Sequence, residues 1–500
     1  MKECIVGTDM CGTSMKVGAF TKDGERLYLA QRKQIPIITK EGHFYFDKQY
    51  QENMLFEMLR EIIQKKFKIL SIGIGSCGES VYPIDKEGEI IDNAIAWYCT
   101  RTNEQEKEFR EKTNEKDIFR ICYLKPFYNY SAHKINWFKK HKPNVFNNAV
   151  SWVSVDGFIN YILTGTKYMS YNQAGTTLLF DTKKRCWSDE LLEINELKKE
   201  TLPELIESGE LTGFINEKSK DRLGIKYDIP VSLAGHDTWC GFFALGLGTS
   251  KQFEYVPNFT GTAGLTNIGK FIGIKDLVDN DIDYFYSNFS WVIPHVYPDK
   301  YHCRGTNTSN YGALLEFTRK LLFNKDKNES WDIYYNRIEK EVEFSSPGAN
   351  GVRIYASENE LDGKRILEGI NFLNLRLSSS KADVYRAAIE YLCLLDKKNL
   401  NKFEKLNNER KKILVFGGLS KDKSFMKIRA SILNRELFIP TEEEVNVLGA
   451  AFLGGVGAKL FKDYGTAIES INITYKDVIK PDNNLVDIYH NIYQNGWELD

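Results

Sequence analysis

The fold of this chain is constrained most by two short turns rich in glycine and threonine. Each turn lies between two apolar strand-like segments. They read DMCGTSMK at residues 9–16 and FTGTAG at residues 259–264. Glycine lets the backbone approach a ligand closely, and successive N–H groups with neighbouring hydroxyls can hold an anion. Neither turn is a Walker P-loop, because no Gly-Lys-Ser/Thr sequence opens a helix. Each alone is most simply a turn between strands, but one turn in each half predicts a nucleotide held between two lobes.

The order of predicted elements supports two halves of the same kind. In the first half, apolar runs predict strands at residues 4–8 and 15–20, and helical periodicity follows at residues 49–67. The second half resumes with strand-like residues around its own turn and then continues with helical patterns. We therefore predict an α/β protein with an N-terminal lobe at residues 1–247 and a C-terminal lobe at residues 248–500.

The first turn also carries two charged groups. Lys16 offers positive charge to a phosphate, and Asp9 is a hard oxygen ligand suited to hydrated Mg²⁺. A third glycine turn, VFGGLS at residues 415–420, follows a buried strand-like run and leaves room for a flat ring. Tight packing between a strand and a helix would explain the same glycines. The Gly/Ala-rich run at residues 445–458 would suit a helix packed close to such a turn.

Residues 234–241, AGHDTWCG, place His236 and Asp237 after a buried strand-like run. The residues from Trp239 onward are apolar enough for a core helix. In open α/β sheets, ligands bind at the carboxyl ends of strands, which favours a catalytic role for Asp237. Aspartate is also a good helix N-cap, so these residues alone leave both roles open.

Composition excludes several classes of function. The 500-residue chain has a net charge of −1 at pH 7, without the basic excess that binds nucleic acids or anionic membranes. Its nine cysteines form no Cys-x-x-Cys pair and no zinc spacing, which fits reduced thiols in the cytoplasm. The first residues lack a signal-peptide apolar region, and residues 445–458 are too short to span a bilayer. We therefore expect a cytoplasmic protein without a nucleic-acid or membrane partner.

Nine segments, in order along nearly the whole chain, resemble the FGGY carbohydrate kinases, which include glycerol, xylulose, ribulose and fuculose kinases. The resemblance implies two ribonuclease-H-like lobes of the actin and hexokinase type, with the active site in the cleft between them. The segments are IVGTDMCGTSMK (5–16), SIGIGSCGESVYPIDKEGEIIDNAIAWYCTRT (71–102), DGFINYILTG (156–165), AGTTLLFDTKKRCWSDELL (174–192), LPELIESGELTG (202–213), IPVSLAGHDTWCG (229–241), TGTAGL (260–265), VFGGLSKDKSFMKIRASILNREL (415–437) and VLGAAFLGG (447–455).

The resemblance also implies a role for single residues. Asp9 would organise Mg²⁺, and Asp237 would be the catalytic base. Glu79 and Trp97 would contact the substrate. His236 would bind sugar hydroxyls or orient Asp237, unless it is a packed core histidine. The residues implied to bind ATP are Thr13, Ser14, Lys16, Gly261, Thr262, Gly312, Gly417, Gly418 and Leu419.

Three departures from the family pattern bear on the site. The first turn usually reads Asp-x-Gly-Thr-Thr/Ser, but Cys11 and Gly12 stand in the Gly-Thr positions and change the expected turn geometry. Gly78 precedes Glu79 where glycerol kinases have an arginine, which argues against glycerol as substrate. The family's Gly-Glu-Arg-x-Pro loop is absent after residues 347–351, so we expect a differently lined cleft.

The predicted function is ATP- and Mg²⁺-dependent phosphorylation of a hydroxyl on a small sugar or polyol, with a ketose such as a pentulose favoured. One alternative is a family member without catalysis that senses a sugar or nucleotide. Another is an ATPase of the same superfamily whose ligand is a protein. The presence of Asp9, Lys16 and Asp237 argues against the sensor. A homodimer is a further expectation, by analogy only.

Overall fold

The computed structural model describes residues 2–248, 255–259, 269–277, 282–304, 307–309, 311–361, 364–407 and 412–495. Up to residue 248, the strands are β1 Lys2–Met10, β2 Ser14–Phe20, β3 Arg26–Lys33, β4 Ile37–Ile38, β5 Phe44–Phe46, β6 Phe67–Ser76, β7 Val81–Ile84, β8 Ala94–Ile95, β9 Ser151–Ser154, β10 Tyr168–Ser170, β11 Phe180–Asp181, β12 Cys186–Trp187, β13 Glu204–Ile206, β14 Leu211–Phe214 and β15 Pro230–His236. The helices of this part are α1 Lys48–Gln64, α2 Asn103–Lys112, α3 Glu115–Cys122, α4 Ser131–His141, α5 Pro143–Asn148, α6 Val155–Thr164, α7 Tyr171–Ala174, α8 Asp189–Ile194, α9 Glu217–Leu223 and α10 Asp237–Ala244.

Strands and helices also alternate in the second half. Its strands are β16 Tyr255–Phe259, β17 Gly269–Gly273, β18 Trp291–Pro294, β19 Lys300–Arg304, β20 Asn307–Ser309, β21 Arg353–Leu361, β22 Lys364–Leu373, β23 Lys412–Phe416, β24 Leu437–Pro440 and β25 Tyr475–Ile479. Its helices are α11 Ile282–Asn288, α12 Tyr311–Leu322, α13 Trp331–Glu343, α14 Lys381–Asn407, α15 Lys423–Leu433, α16 Val445–Gly457, α17 Tyr464–Ser470 and α18 Asn483–Gln494. No helix in the described ranges is long and apolar enough to cross a bilayer.

A six-stranded mixed sheet lies at the centre of the first half, in the order β14-β15-β6-β1-β2-β3. The neighbours β15, β6 and β1 are parallel, so their carboxyl ends lie at one edge. From Cys4 onward β1 is buried at every position, as expected for a strand that is covered on both faces. In the second half, β16, β23 and β24 are parallel neighbours, and β25 completes that sheet as an antiparallel edge strand.

Helix α16 belongs to the second half of the chain but packs on β1, β6 and β15 of the first-half sheet and on α10. Glycines bring the backbones together at these contacts. A Cβ on Gly73 would lie 1.7 Å from the Ala450 carbonyl oxygen, and one on Gly449 would lie 1.8 Å from the Cys240 carbonyl oxygen. The helix expected at residues 445–458 is therefore present, and its glycines are explained by contact with the first-half sheet and α10.

Two large apolar cores reflect this arrangement. One contains buried residues from Cys4 to Ile471, because α16 adds its apolar side chains to those of the first half. The other contains buried residues from Leu314 to Tyr489. The lobe boundary between residues 247 and 248 stays a prediction.

We expect Gly449→Ala to lower the free energy of unfolding by about 3 kcal/mol or more, because the new methyl group would overlap a backbone carbonyl that no rotamer change can move. The matched control is Gly273→Ala. Gly273 has a φ of −80°, and its Cβ would meet only the Asp276 carboxylate, at 3.2 Å. Urea unfolding of both variants measures the difference. Equal stability would contradict the close contact between α16 and α10.

Candidate active site

Three parallel strands bring the candidate residues to one edge of the first-half sheet. The strand register pairs Asp9 with Gly75 and His236 with Ser76. Asp237 follows directly as the first residue of α10. Because β1, β6 and β15 end together, Asp9 and Asp237 lie close to each other although Asp237 follows Asp9 by 228 positions in the chain.

The position of Asp237 bears on the two roles that its sequence context leaves open. His236 is the N-cap of α10 and makes no capping hydrogen bond with its side chain. Asp237 Oδ1 accepts hydrogen bonds from the backbone N and the hydroxyl of Thr238, at 2.5 and 3.1 Å. Asp237 is thus one position beyond the N-cap, and its other carboxylate oxygen points toward Asp9 through Cys11.

Cys11 links the two carboxylates. Its Sγ lies 2.7 Å from Asp9 Oδ1 and 2.7 Å from Asp237 Oδ2, and the thiol can donate its proton to either oxygen. The three ligand atoms all lie within 4.8 Å of one another. Two carboxylate oxygens facing one point suit Mg²⁺, whose remaining ligands are usually phosphate and water oxygens. The thiol is a soft ligand and contributes nothing to Mg²⁺ binding.

The environments of the two aspartates push their pKa values apart. Burial raises the pKa of Asp9 to about 7, and the negative charge of Asp237 adds to the rise. Burial also acts to raise the pKa of Asp237, but His236, whose Nδ1 lies 2.6 Å from Asp237 Oδ1, lowers it below its ordinary value. Asp237 is therefore ionised at neutral pH, as a proton acceptor must be.

Lys16 lies on β2 opposite Asp9 in the antiparallel register. Its Nζ is 2.5 Å from Oε2 of Glu444, the residue that precedes α16. Burial acts to lower the pKa of Lys16, but the charges of Asp9 and Glu444 outweigh it and raise the pKa. The edge of the sheet thus holds a charged ammonium group that a carboxylate from the second half neutralises.

Gly78 and His236 occupy adjoining space. A Cβ on Gly78 would lie 2.7 Å from His236 Cδ2 and 3.3 Å from Gln173 Oε1. A side chain at residue 78 is therefore incompatible with the observed position of the imidazole. Gly78, which stands where glycerol kinases have an arginine, thus leaves the space that the His236 imidazole occupies.

The other two expected substrate contacts lie beside this arrangement. Glu79 is buried and has a φ of 63°, a left-handed conformation that non-glycine residues adopt rarely and often at functional sites. Its carbonyl oxygen accepts a hydrogen bond of 3.1 Å from the Ser131 hydroxyl. Trp97 approaches the first turn, since a Cβ on Gly12 would lie 2.8 Å from Trp97 Nε1. The glycine at residue 12 thus makes room for this tryptophan.

The structure separates the expected ATP-binding residues into two groups. Thr13 lies in the first turn and Ser14 begins β2; Cys11 N donates a 3.0 Å hydrogen bond to Ser14 O across the turn. Gly261 and Thr262 lie outside the described residues. The remaining residues are in the second half: Gly312 in α12, Gly417 after β23 with a φ of 100°, and Gly418 and Leu419 in the turn Gly418–Lys421.

One contact connects the strand before Gly417 with α10, the helix that begins at Asp237. Phe416 at the end of β23 packs against Phe242 of α10, with 6.2 Å between ring centroids. Within the described residues, no hydrogen bond joins Gly417 or Leu419 to Asp9 or Asp237. The role of the second group in binding ATP stays a prediction.

Sequence reasoning missed Glu444 and Gln173. Glu444 ends an acidic run, residues 442–444, directly before a predicted helix, which indicates only a favourable charge at a helix N-terminus. Its contact with Lys16 spans 428 positions of the chain. Gln173 has no sequence signal, because its amide reaches the site only through the packing of α7 beside β15.

Comparison with known proteins covers both halves. The N-terminal domain model of the FGGY family of carbohydrate kinases matches residues 4–244, and the C-terminal domain model matches residues 341–458. The chain belongs to the FGGY family of carbohydrate kinases. It is 24% identical to a xylulose kinase of Staphylococcus xylosus, over 98% of this chain and 99% of that protein.

Solved structures of FGGY kinases have the same fold. Xylulose kinase and gluconate kinase, both from Lactobacillus acidophilus, align with 99% of this chain and with 96% and 97% of their own lengths. Each has a TM-score of 0.82 at 20% identity. The predicted α/β fold with two actin-like lobes is thereby confirmed. The chain is a carbohydrate kinase, a class of phosphotransferase whose donor is ATP.

We expect Asp9→Asn to stabilise the metal-free protein at about pH 8, by on the order of 1–3 kcal/mol. A carboxyl whose pKa is higher in the folded than in the unfolded state destabilises the fold increasingly as pH rises from about 4 to about 7, and fully above that. The gain should vanish near pH 4. Asp221→Asn in α9, an exposed position, is the control, and thermal unfolding with a chelator measures both. A gain that is independent of pH would contradict the raised pKa.

Proposed function

We propose that this kinase phosphorylates a hydroxyl of a small sugar or polyol with ATP, and that Asp237 is the general base. The observation that supports this most is the ionised Asp237 carboxylate at the carboxyl edge of three parallel strands, bridged by Cys11 to Asp9. A ketose of the pentulose type stays the expectation from sequence, and the similarity to a protein named xylulose kinase agrees with it. The cytoplasmic location and the homodimer also stay predictions.

The two oxygens of Asp237 would have different tasks. Oδ1 is held by Thr238 and faces His236, so it fixes the carboxylate in place. Oδ2 accepts only the weak S–H donor of Cys11 among the described residues. A substrate hydroxyl can replace that thiol, pass its proton to Oδ2 and attack the γ-phosphorus as the bond to ADP breaks.

Lys16 would supply positive charge to the transferred phosphoryl group. In the structure its ammonium group pairs with Glu444. A phosphate oxygen near β2 would compete with Glu444 for the same ammonium, because charge-assisted hydrogen bonds to phosphate and carboxylate are similar in kind. Glu444 would then keep Lys16 charged and positioned until ATP arrives.

The carboxylates at this edge fit the metal that the resemblance implies. Asp9 offers a hard oxygen ligand, and the high pKa of Asp9 reflects a buried negative charge that lacks a full counter-charge. A divalent cation supplies that charge, and Mg²⁺ bound here would also neutralise phosphate oxygens. Asp237 keeps its proton-accepting role, since its own counter-charge comes from His236.

We expect Asp237→Asn to lower kcat by about 10²–10⁴-fold with little change in KM, because asparagine keeps the shape of the side chain but accepts no proton at neutral pH. Asp47→Asn is the matched control, since the Asp47 carboxylate caps α1 by accepting hydrogen bonds from the backbone N–H groups of Gln49 and Tyr50. Asparagine caps a helix about as well, so this variant should keep both its stability and its kcat. A coupled assay of ADP release measures both variants. Near wild-type turnover by Asp237→Asn would show that Asp237 is not the general base.

We expect Lys16→Ala to raise the KM for ATP about 10-fold or more, through loss of a charge-assisted contact with phosphate. Glu444→Gln should change the KM for ATP in the opposite direction or leave it unaltered, because it frees Lys16 from a competing carboxylate. Initial rates at varied ATP measure both. A similar rise in the KM for ATP in both variants would mean that the ion pair is only structural.

A further inference from the structure

Arg304 is a buried cation for which the mechanism above has no use. It ends β19 and is only 2% exposed. Its Nε and Nη2 atoms are buried and have no hydrogen-bond partner among the residues that the structure describes. Burial lowers the pKa of Arg304 to about 9, and the nearby Tyr130 and Glu79 offset this only in part. A buried guanidinium without a partner is costly, so it requires an explanation.

Two other buried arginines, Arg386 and Arg429, are paired with carboxylates of the chain. Arg386 lies 2.8 Å from Glu390, and Arg429 lies 2.7 Å from Asp396. Arg304 instead stacks on the Trp291 ring, with 4.2 Å from Cζ to the ring centroid. Stacking fixes the plane of the guanidinium and leaves its edge available. Unlike Arg386 and Arg429, Arg304 has no carboxylate within ion-pair distance among the described residues.

A continuous series of aromatic contacts leads from Arg304 to the candidate base. Trp291 lies 5.7 Å from Trp239, and Trp239 lies 4.7 Å from His236, between ring centroids. His236 in turn contacts Asp237. Arg304 is thus connected with Asp237 through two indole rings and the imidazole, and the charge of Glu79 also acts on it. A substrate group bound at Arg304 would be one that lies apart from the reacting hydroxyl.

Further buried polar atoms without partners among the described residues belong to residues beside His236 or close in sequence to contacts of Glu79. They are Trp239 Nε1, a donor, and the acceptors Gln173 Oε1 and Asn129 Oδ1. Gln173 adjoins Gly78 and His236, and Asn129 is two residues before the Ser131 hydroxyl that binds the Glu79 carbonyl. Neutral donors and acceptors of this kind match hydroxyl groups. Arg304 adds a full positive charge to them.

We propose that Arg304 binds a carboxylate of the substrate, so that the preferred substrate is an acidic sugar such as an aldonate rather than a neutral ketose or polyol. Nε and Nη2 form one edge of the guanidinium, and two parallel N–H bonds from such an edge match the two oxygens of a carboxylate. The inference rests on the proposed function and narrows its substrate class. An acidic sugar and the ketose expected from the sequence are alternatives that the following tests distinguish.

The reaction balances without any further reactant. The carboxylate keeps its charge and its bonds at Arg304. The reacting hydroxyl loses its proton to Asp237, its oxygen forms the new bond to the γ-phosphorus, and the bond from that phosphorus to the β-phosphate oxygen breaks. The products are a phosphorylated sugar acid and ADP.

The first test compares kcat/KM for pentonates and hexonates with that for the aldose, ketose and polyol of the same chain length. We expect the best acid to exceed its neutral counterparts by about 10-fold or more, because a neutral substrate leaves the buried guanidinium unpaired. Faster turnover of a neutral sugar than of every acid would overturn the inference and leave the proposed kinase function intact.

The second test uses Arg304→Met, which keeps side-chain length and removes the charge. The ratio of kcat/KM for the acid to that for the neutral sugar should fall by about 100-fold, mainly through KM for the acid. Arg304→Lys should lose part of this ratio, since it keeps the charge without the two-pronged edge. The matched control is Arg185→Met. Arg185 also stacks on a ring at 4.2 Å, that of Tyr171, and its loss should leave the ratio unchanged. An unchanged ratio in Arg304→Met would overturn the inference.

A binding measurement separates this inference from the proposed function. Trp291 lies against the guanidinium, so titration of tryptophan fluorescence with an aldonate reports binding without turnover. We expect saturable binding of the acid by wild type and by Arg185→Met, weaker binding by Arg304→Lys, and none at the same concentrations by a folded Arg304→Met. Binding of the acid without phosphorylation would support the inference and contradict the proposed function. No binding of any acid by wild type would overturn the inference.

Discussion

The close contact of α16 with the first-half sheet holds the candidate site together. Glycines at residues 73 and 449 let the backbone of this helix touch β6 and α10, at distances that would exclude even a methyl group. The contact joins residues from the two halves into one apolar core. It also sets Glu444, directly before the helix, against Lys16 on β2. The arrangement of charge at the edge of the sheet therefore depends on backbone packing more than on the charged side chains themselves.

The same edge of the sheet brings two carboxylates close together. Asp9 and Asp237 approach one thiol from both sides, and the resulting repulsion adds to burial in raising the pKa of Asp9. Such perturbed groups cluster at catalytic sites, where a bound ligand relieves them. Arg304 presents the opposite case, a buried positive charge without a partner in the described residues. In both proposals a ligand of opposite charge, a divalent cation at Asp9 and a substrate carboxylate at Arg304, would compensate the buried charge.

The departures from the family pattern are explained by contacts with other residues. Gly12 gives room to Trp97, and Gly78 gives room to His236. Cys11 occupies the space between the two carboxylates. Each of these three residues is explained only by its partner: Trp97 for Gly12, His236 for Gly78 and Asp237 for Cys11. The partners lie between 85 and 226 positions away in the chain.

The sequence by itself determined the α/β class, the family and the strand ends that carry Asp9, His236 and Asp237. Periodicity, glycine turns and ordered motifs are local signals, and a strand that is buried on both faces can be read from its own residues. Only the tertiary structure decided that α16 packs on the sheet of the first half and that Arg304 has no carboxylate partner among the residues that the structure describes. Those features depend on distances between segments far apart in the chain, and the free energy of a buried charge is set by what surrounds it.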